Sequence, residues 1–166
     1  MRWEDAEPLV PWSAMLLFGV GVGLGGALIE TGAAAWTAQA TLGRLGVATM
    51  SPLAMIGVLS VMNLLVHQGF ASATGLAAAL IPVVLAFFTQ LARPDAPALG
   101  MTMVQLFMVS VGFLLPVNSP QNMVCYGTRA FTAVEFLRIG VPMSMAALGT
   151  TLLFALTYWR WIGLLP

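Results

Sequence analysis

"GFLLPVNSPQNMVCYG", residues Gly112 to Gly127, sets two prolines, two asparagines, a serine and a glutamine in the middle of a greasy stretch. It belongs to an uncharged run from Ala96 to Thr128. As one unbroken helix that run would be about 50 Å long, against a bilayer core of about 30 Å. It is therefore interrupted, and the residue types say where. Leu99 to Leu115 reads as one helical arm, "PVNSP" stops it, and a second helix restarts with Ser119 at the N-cap and Pro120 at the first helical position. Residues 99–131 then form a broken helix whose second piece reaches from mid-membrane to one surface.

Composition points to the same medium. Hydrophobic residues make up 60% of the chain and charged residues 7%, against about 25% charged in soluble domains. Mean hydropathy is +0.95. The fold class that follows is an all-α integral membrane protein in a lipid bilayer, with room for about four to six membrane segments. The six basic residues are all arginine and six carboxylates balance them, so nothing points to a nucleic-acid partner. Cys125 is the only cysteine, which excludes an internal disulfide and reads as a small packing residue. The opening "MRWEDAEPLVPW" carries Glu4, Asp5 and Glu7 where a signal peptide is basic, and reads as an interfacial helix start.

The other uncharged runs complete the layout. Residues 8–29 read as a glycine-rich spanning helix with Trp12 at headgroup level, and residues 30–46, with Trp36 and Arg44, as an arm lying in the interface. The run from Leu45 to Ala92 would be about 70 Å as one helix, so it folds back at "HQGFASATG", His67 to Gly75. Its arms, Pro52 to Val66 and Leu76 to Leu91, are each about 23 Å, short for a crossing, so residues 52–91 read as a re-entrant hairpin. Residues 139–159 form a terminal spanning helix closed by the aromatic and arginine anchors of "TYWRW". On this layout the arginines divide evenly between the two sides and give no orientation.

Two breaks at mid-depth need a reason, because main-chain groups freed in hydrocarbon cost several kcal/mol apiece unless satisfied. Each break is followed by a fresh helix N-terminus, at Thr74-Gly75 and at Ser119-Pro120, worth about half a positive charge. Two such ends make an anion site without a basic side chain. Unwound carbonyls near Ala71 and Asn118 offer oxygen to a hard cation such as sodium. With no arginine or lysine in either run, a co-bound cation would offset the cost of holding an anion away from water. Each feature also has a plainer reading: a packing kink, small residues in helix contact, and a hydrogen-bonding His67 at the hairpin tip. A proton-coupling His67 is the sharper alternative. A Ser72–His67 hydrolase lacks support, since no G-x-S-x-G surrounds Ser72, and no enzyme is expected.

Four stretches, in order, carry a family resemblance: "WEDAEPLVPW" followed by "LLFGVGVGLGGALIETG", then "FASATGLAAALIP", then "LLPVNSPQNMVCYGT", then "FLRIGVP" running into "TYWRW". Together they resemble the C-terminal portion, most of the second inverted repeat, of the divalent-anion/sodium symporter family, carriers of dicarboxylates, citrate and sulfate. The resemblance implies a sodium-coupled secondary transporter of a small anion, built from two inverted repeats and working as an elevator-type homodimer. It implies that Ser72, Thr74, Ser119, Pro120 and Asn122 contact the substrate. Ala71, Ser72, Ala73 and Asn118 would bind sodium, the coupling ion, with no other cofactor or metal. It further implies a bacterial inner membrane, with the N-terminus inside and the C-terminus outside.

Two departures from the family pattern matter. Ala73 stands where the family commonly has asparagine, which removes a side-chain amide from substrate or sodium. The first repeat, with its own hairpin, is not in these residues, so the chain reads as a fragment, a split-gene partner or a truncated reading frame. The alternatives are a proton-coupled or exchange carrier of anions, and a non-transporting membrane fragment or assembly partner.

Overall fold

The computed structural model describes Glu7 and residues 12–166, and the regular elements among the described residues are all helical. Apart from Glu7, the expected interfacial start lies outside them. The chain forms α1 (Trp12–Glu30), then α2 (Ala33–Ala38), which continues into a π-helical turn (Gln39–Gly43) and a 3-10 turn (Val47–Thr49). Next come α3 (Pro52–His67), α4 (Ala73–Leu91) and α5 (Ala98–Val109), followed by a second 3-10 turn (Pro116–Asn118). Helices α6 (Pro120–Gly127), α7 (Ala133–Leu156) and α8 (Tyr158–Trp161) complete the order. Among the described residues, Ala73–Leu91 and Ala133–Trp161 are long and apolar enough to cross a membrane.

Small polar residues decide where these helices begin. Ser51 caps α3, its Oγ accepting from the Ala54 N–H at 3.4 Å with Pro52 just inside. Ser72 does the same for α4 through the Gly75 N–H at 3.4 Å. That cap starts α4 at Ala73, ahead of the expected Leu76. At 19 residues α4 is about 28 Å long, enough by length alone to cross the bilayer. Helix α7 also starts early, at Ala133 rather than Ile139. Thr132 and Glu135 form a capping box there: the Glu135 Oε2 accepts from Thr132 N at 2.7 Å, and Thr132 Oγ1 accepts from Glu135 N at 3.3 Å.

The largest difference from expectation is at the broken helix. Helix α5 stops at Val109, not at Leu115, and residues 110–115 are unwound ahead of Pro116. Their carbonyls face sideways partners: Gly112 O accepts from the Asn122 side chain at 3.2 Å, and Phe113 O lies against α7 at Gly140. Proline explains one end of the break, and packing explains the other.

Helix α4 is the hub, with α1, α2 and α5 packed on it, while α3 packs on α5 and α7. Gly25 is where α1 comes close, since a methyl there would stand 3.0 Å from Pro82 Cγ. Residues 33–43 turn Ala34, Ala38 and Leu42 onto the bundle and leave Trp36 74% exposed. The apolar core gathers Met55, Ile56 and Leu59 of α3, Phe87 and Phe88 of α4, Met101 and Val104 of α5, and Trp159 of α8. Those of α3, α4 and α5 come from the first half of α3, the second half of α4 and the first seven residues of α5. The core therefore sits at the end of these helices away from the α3–α4 turn. Arg93 closes that end: its guanidinium donates to the Ala48 and Met50 carbonyls, both at 2.9 Å, and pairs with Asp95.

Candidate functional site

At the opposite end, the α3–α4 turn and the unwound segment meet. The link is Asn118, which is fully buried. Its Nδ2 donates to His67 O at 2.6 Å and to Phe70 O at 3.5 Å, while its Oδ1 accepts from Leu115 N at 2.9 Å. One side chain thus fixes the shape of its own loop and ties that loop to the turn. His67 adds a steric contact from the same turn. A methyl on Gly112 would lie 3.0 Å from the His67 ring, so glycine lets the unwound segment lie directly on the imidazole. His67 is 1% exposed, and neither ring nitrogen has a hydrogen-bond partner among the described residues.

Around this junction the expected substrate contacts take up capping roles. Ser72 caps α4, and Ala73 and Thr74 fill its first turn, all half-buried. Ser119 caps α6, its Oγ accepting from Asn122 N at 3.4 Å, with the exposed Pro120 at the first position, as the Ser-Pro pair predicts. Asn122 reaches back to Gly112 O and also lines a largely apolar cavity of about 330 Å³ with Phe113, Phe131, Phe136, Ile139 and the carboxylate-bearing Glu135. The structure brings the α3–α4 turn and Asn118 into contact. No hydrogen bond joins Ser72 or Thr74 to Ser119 or Asn122 among the described residues.

At the two breaks the chemistry on offer is neutral. Two helix N-termini, each worth about half a positive charge, lie beside hydroxyls and an amide, and no charged residue occurs in Leu45–Ala92 or Ala96–Thr128. Among the described residues no group of three or more His, Cys, Asp or Glu side chains gathers to hold a metal ion. At the breaks themselves a hard cation would therefore meet neutral oxygens, and the carboxylate of the Asn122 cavity, Glu135, is engaged by Thr132. Ser72 O already accepts from Leu76 N at 3.1 Å, and Ala73 is helical, with its carbonyl aimed down α4. Of the residues expected to bind sodium, Ala71 and Asn118 keep carbonyls outside an α-helix, and Ser72 keeps its hydroxyl. The Asn118 side chain is committed to the tie, so the main chain is what that residue can offer. Such a donor set suits a weakly held alkali cation and not a tightly caged divalent one.

A family model described as the sodium:sulfate symporter transmembrane region matches residues 1–165. The chain belongs to that family. It is an integral membrane protein. A membrane protein of Cupriavidus necator is 45% identical over 163 residues, covering 98% of this chain and 32% of that protein. The Na(+)/dicarboxylate cotransporter 3 of Mus musculus is 26% identical, covering 87% of this chain and 23% of its own length. A sodium-dependent dicarboxylate transporter of Staphylococcus saprophyticus is 26% identical, with 88% and 27% covered. The chain thus spans about a third or less of the length of these relatives. No solved structure gives a significant match.

Sequence reasoning missed three things that shape this site. The Asn118 tie joins residues 51 apart in sequence, which no local spacing signals. Gly140 reads as an ordinary glycine in an apolar helix. The Thr132–Glu135 capping box is written in the sequence as T-x-x-E, a local signal of a helix start ahead of Ile139.

Proposed function

We propose that this chain is the second-repeat portion of a sodium-coupled carrier of a small dianion, a dicarboxylate or a similar divalent anion. It contributes half of the anion site and one sodium site. The observation that carries the reading is the Asn118 amide, which joins the loop ahead of α6 to the turn ahead of α4. Two helix N-termini held by one buried side chain form a composite anion-binding surface, whereas two isolated kinks have no need of such a tie. Family membership and the names of the dicarboxylate-carrying relatives support the ligand class.

In this reading residues 52–91 enter and leave the membrane by one face, and residues 99–131 approach from the other. Ser72, Thr74, Ser119 and Asn122 hydrogen-bond the anion. Carbonyls at Ala71 and Asn118 hold sodium, whose charge makes the anion tolerable in a site without arginine or lysine. A first repeat supplies the other half, and two such carriers pair as an elevator-type dimer in a bacterial inner membrane, with Trp3 inside and Pro166 outside.

The test is succinate-dependent thermal stabilisation in sodium buffer, repeated with choline in place of sodium. Ser119→Ala and Asn122→Ala should each weaken succinate binding by about 1–3 kcal/mol, the loss expected for a buried hydrogen bond. Wild-type affinity in both variants, or an equal response in choline, would sink the reading.

A further inference from the structure

The unwound residues 110–115 are held from three sides. From α6, Asn122 Nδ2 donates to Gly112 O at 3.2 Å. From α3, the His67 ring presses on Gly112. From α7, the contact is made by Gly140, which is buried. A methyl placed on Gly140 would overlap the Phe113 carbonyl oxygen, standing 2.8 Å from the Phe113 carbonyl carbon and 3.4 Å from Leu114 Cα. Main chain cannot swing aside as a side-chain end can, so any larger residue moves either Phe113 or α7. Glycine inside a helix also weakens that helix relative to alanine. Its place in α7 therefore calls for a reason, and this backbone contact supplies one.

A shift at Phe113 would not stay local. Two residues on, Leu115 N donates to Asn118 Oδ1, and the same Asn118 side chain holds His67 O and Phe70 O. The chain of contacts runs from α7, through the unwound segment, to the α3–α4 turn. We propose that Gly140 is a positioning residue, which sets the depth at which Ser119 and the first turn of α6, with Asn122, face the Ser72–Thr74 turn. Its consequence for ligands rests on the function proposed above, whereas its consequence for geometry does not.

Gly100 provides a matched control. A methyl there would overlap the Leu164 carbonyl oxygen and stand 3.1 Å from its carbon, a comparable insult at the opposite end of α5. Hydrogen–deuterium exchange of the purified chain separates the two. Gly140→Ala should speed exchange of the Leu115 and Asn118 amides by about tenfold or more, which is about 1.4 kcal/mol of local stability. Gly100→Ala should loosen residues 162–165 and leave those two amides at wild-type rates. Unchanged rates in Gly140→Ala, or equal acceleration in Gly100→Ala, overturn the proposal. Gly112→Ala presses the same segment against a side-chain ring and is milder, so if Gly140→Ala fails to fold it tests the relay from this segment to Leu115 and Asn118, and unchanged rates there overturn the proposal.

A second readout tests the link to ligand. Sodium chloride, compared with choline chloride, should raise the melting temperature of wild type and Gly100→Ala, and this rise should be lost in Gly140→Ala. A wild-type rise retained in Gly140→Ala removes the positioning role. A wild-type chain indifferent to sodium counts against the carrier reading alone, and the exchange pattern then settles Gly140 by itself.

Discussion

Helices α3, α4 and α5 are held together differently at their two ends. At one end Met55, Ile56, Phe88, Met101 and Val104 interdigitate as apolar side chains, almost none of them reachable from outside. At the other end the same helices stop, and side-chain amides from Asn118 and Asn122 bind main-chain carbonyls across the gap. Close packing is non-directional and tolerates exchange of similar volumes, while a hydrogen bond to a carbonyl fixes an atom in place. The packed end therefore holds the scaffold, and the amide end sets the geometry of the two breaks. Apolar side chains are buried towards this end too, Leu76 and Met108 among them, but residues 68–72 and 110–115 lie outside the helices and so belong to the lower-stability part of the fold, where motion linked to ligand is expected.

The contrast is broken or sharpened by comparing one variant from each end. Phe88→Ala should have the largest effect, about 3–5 kcal/mol of lost stability, seen as a lower midpoint of unfolding in detergent. Because the core is shared by the helices, the loss should appear at both ends together. Asn118→Ala should cost about 1–3 kcal/mol for a buried partner left unpaired, which is Leu115 N, while His67 O keeps the bond it accepts from Phe70 N at 3.0 Å. Its loss should be local: faster exchange in residues 67–72 and 110–118, with α5 near Met101 still protected. If Asn118→Ala loosens the core as much as Phe88→Ala does, the two ends are one cooperative unit and the distinction fails.

The same contrast explains what the sequence let one read. Helix starts were legible where a cap and its helix are adjacent, as at Ser119-Pro120, because the chemistry is local. The end of α5 was not, because it is set by Gly112 on His67 and Gly140 on Phe113, contacts between residues far apart in the chain. Proline at 116 drew the expected boundary to itself, although the helix had already stopped at Val109. Asn118 was expected at the site for its carbonyl, and its side chain turned out to be the residue's most engaged part. Apolar periodicity carried little information throughout, since in a chain so rich in hydrophobic residues the lipid-facing and core-facing positions look alike.

A smaller effect marks the edge of the amide end. Thr132→Val removes the hydroxyl that accepts from Glu135 N and donates to Glu135 Oε2 at 2.9 Å. The cost should be about 1 kcal/mol, as for other lost N-caps. Its signature should be fraying of the first turn of α7, detected as faster exchange at Glu135 and Phe136. Exchange at Gly140 should hold, since that residue lies more than one turn further in and is fixed by Phe113. Fraying that did reach Gly140 would carry the perturbation into residues 110–115 and tie α7's start to the junction.

The smallest effect belongs to the packed end and depends on pH. Arg93 donates to both oxygens of Asp95, at 3.0 and 2.6 Å. That hydrogen bonding, helped by the opposite charge and opposed by desolvation, holds the Asp95 carboxyl below the usual carboxylate range. A carboxyl depressed in the folded state adds stability above its unfolded pKa and loses it as pH falls through the folded value. Asp95 is 50% exposed, so solvent and salt screen the pair and its contribution is small. Asp95→Asn should therefore lie slightly below wild type at neutral pH, and the gap should close in acid below the ordinary carboxylate range and shrink in high salt. The arginine stays charged throughout, so its bonds to the Ala48 and Met50 carbonyls persist and the turn ahead of α3 keeps its place. A gap that ignores both pH and salt would mean that Asp95 acts through local hydrogen bonding of the turn and not through its charge.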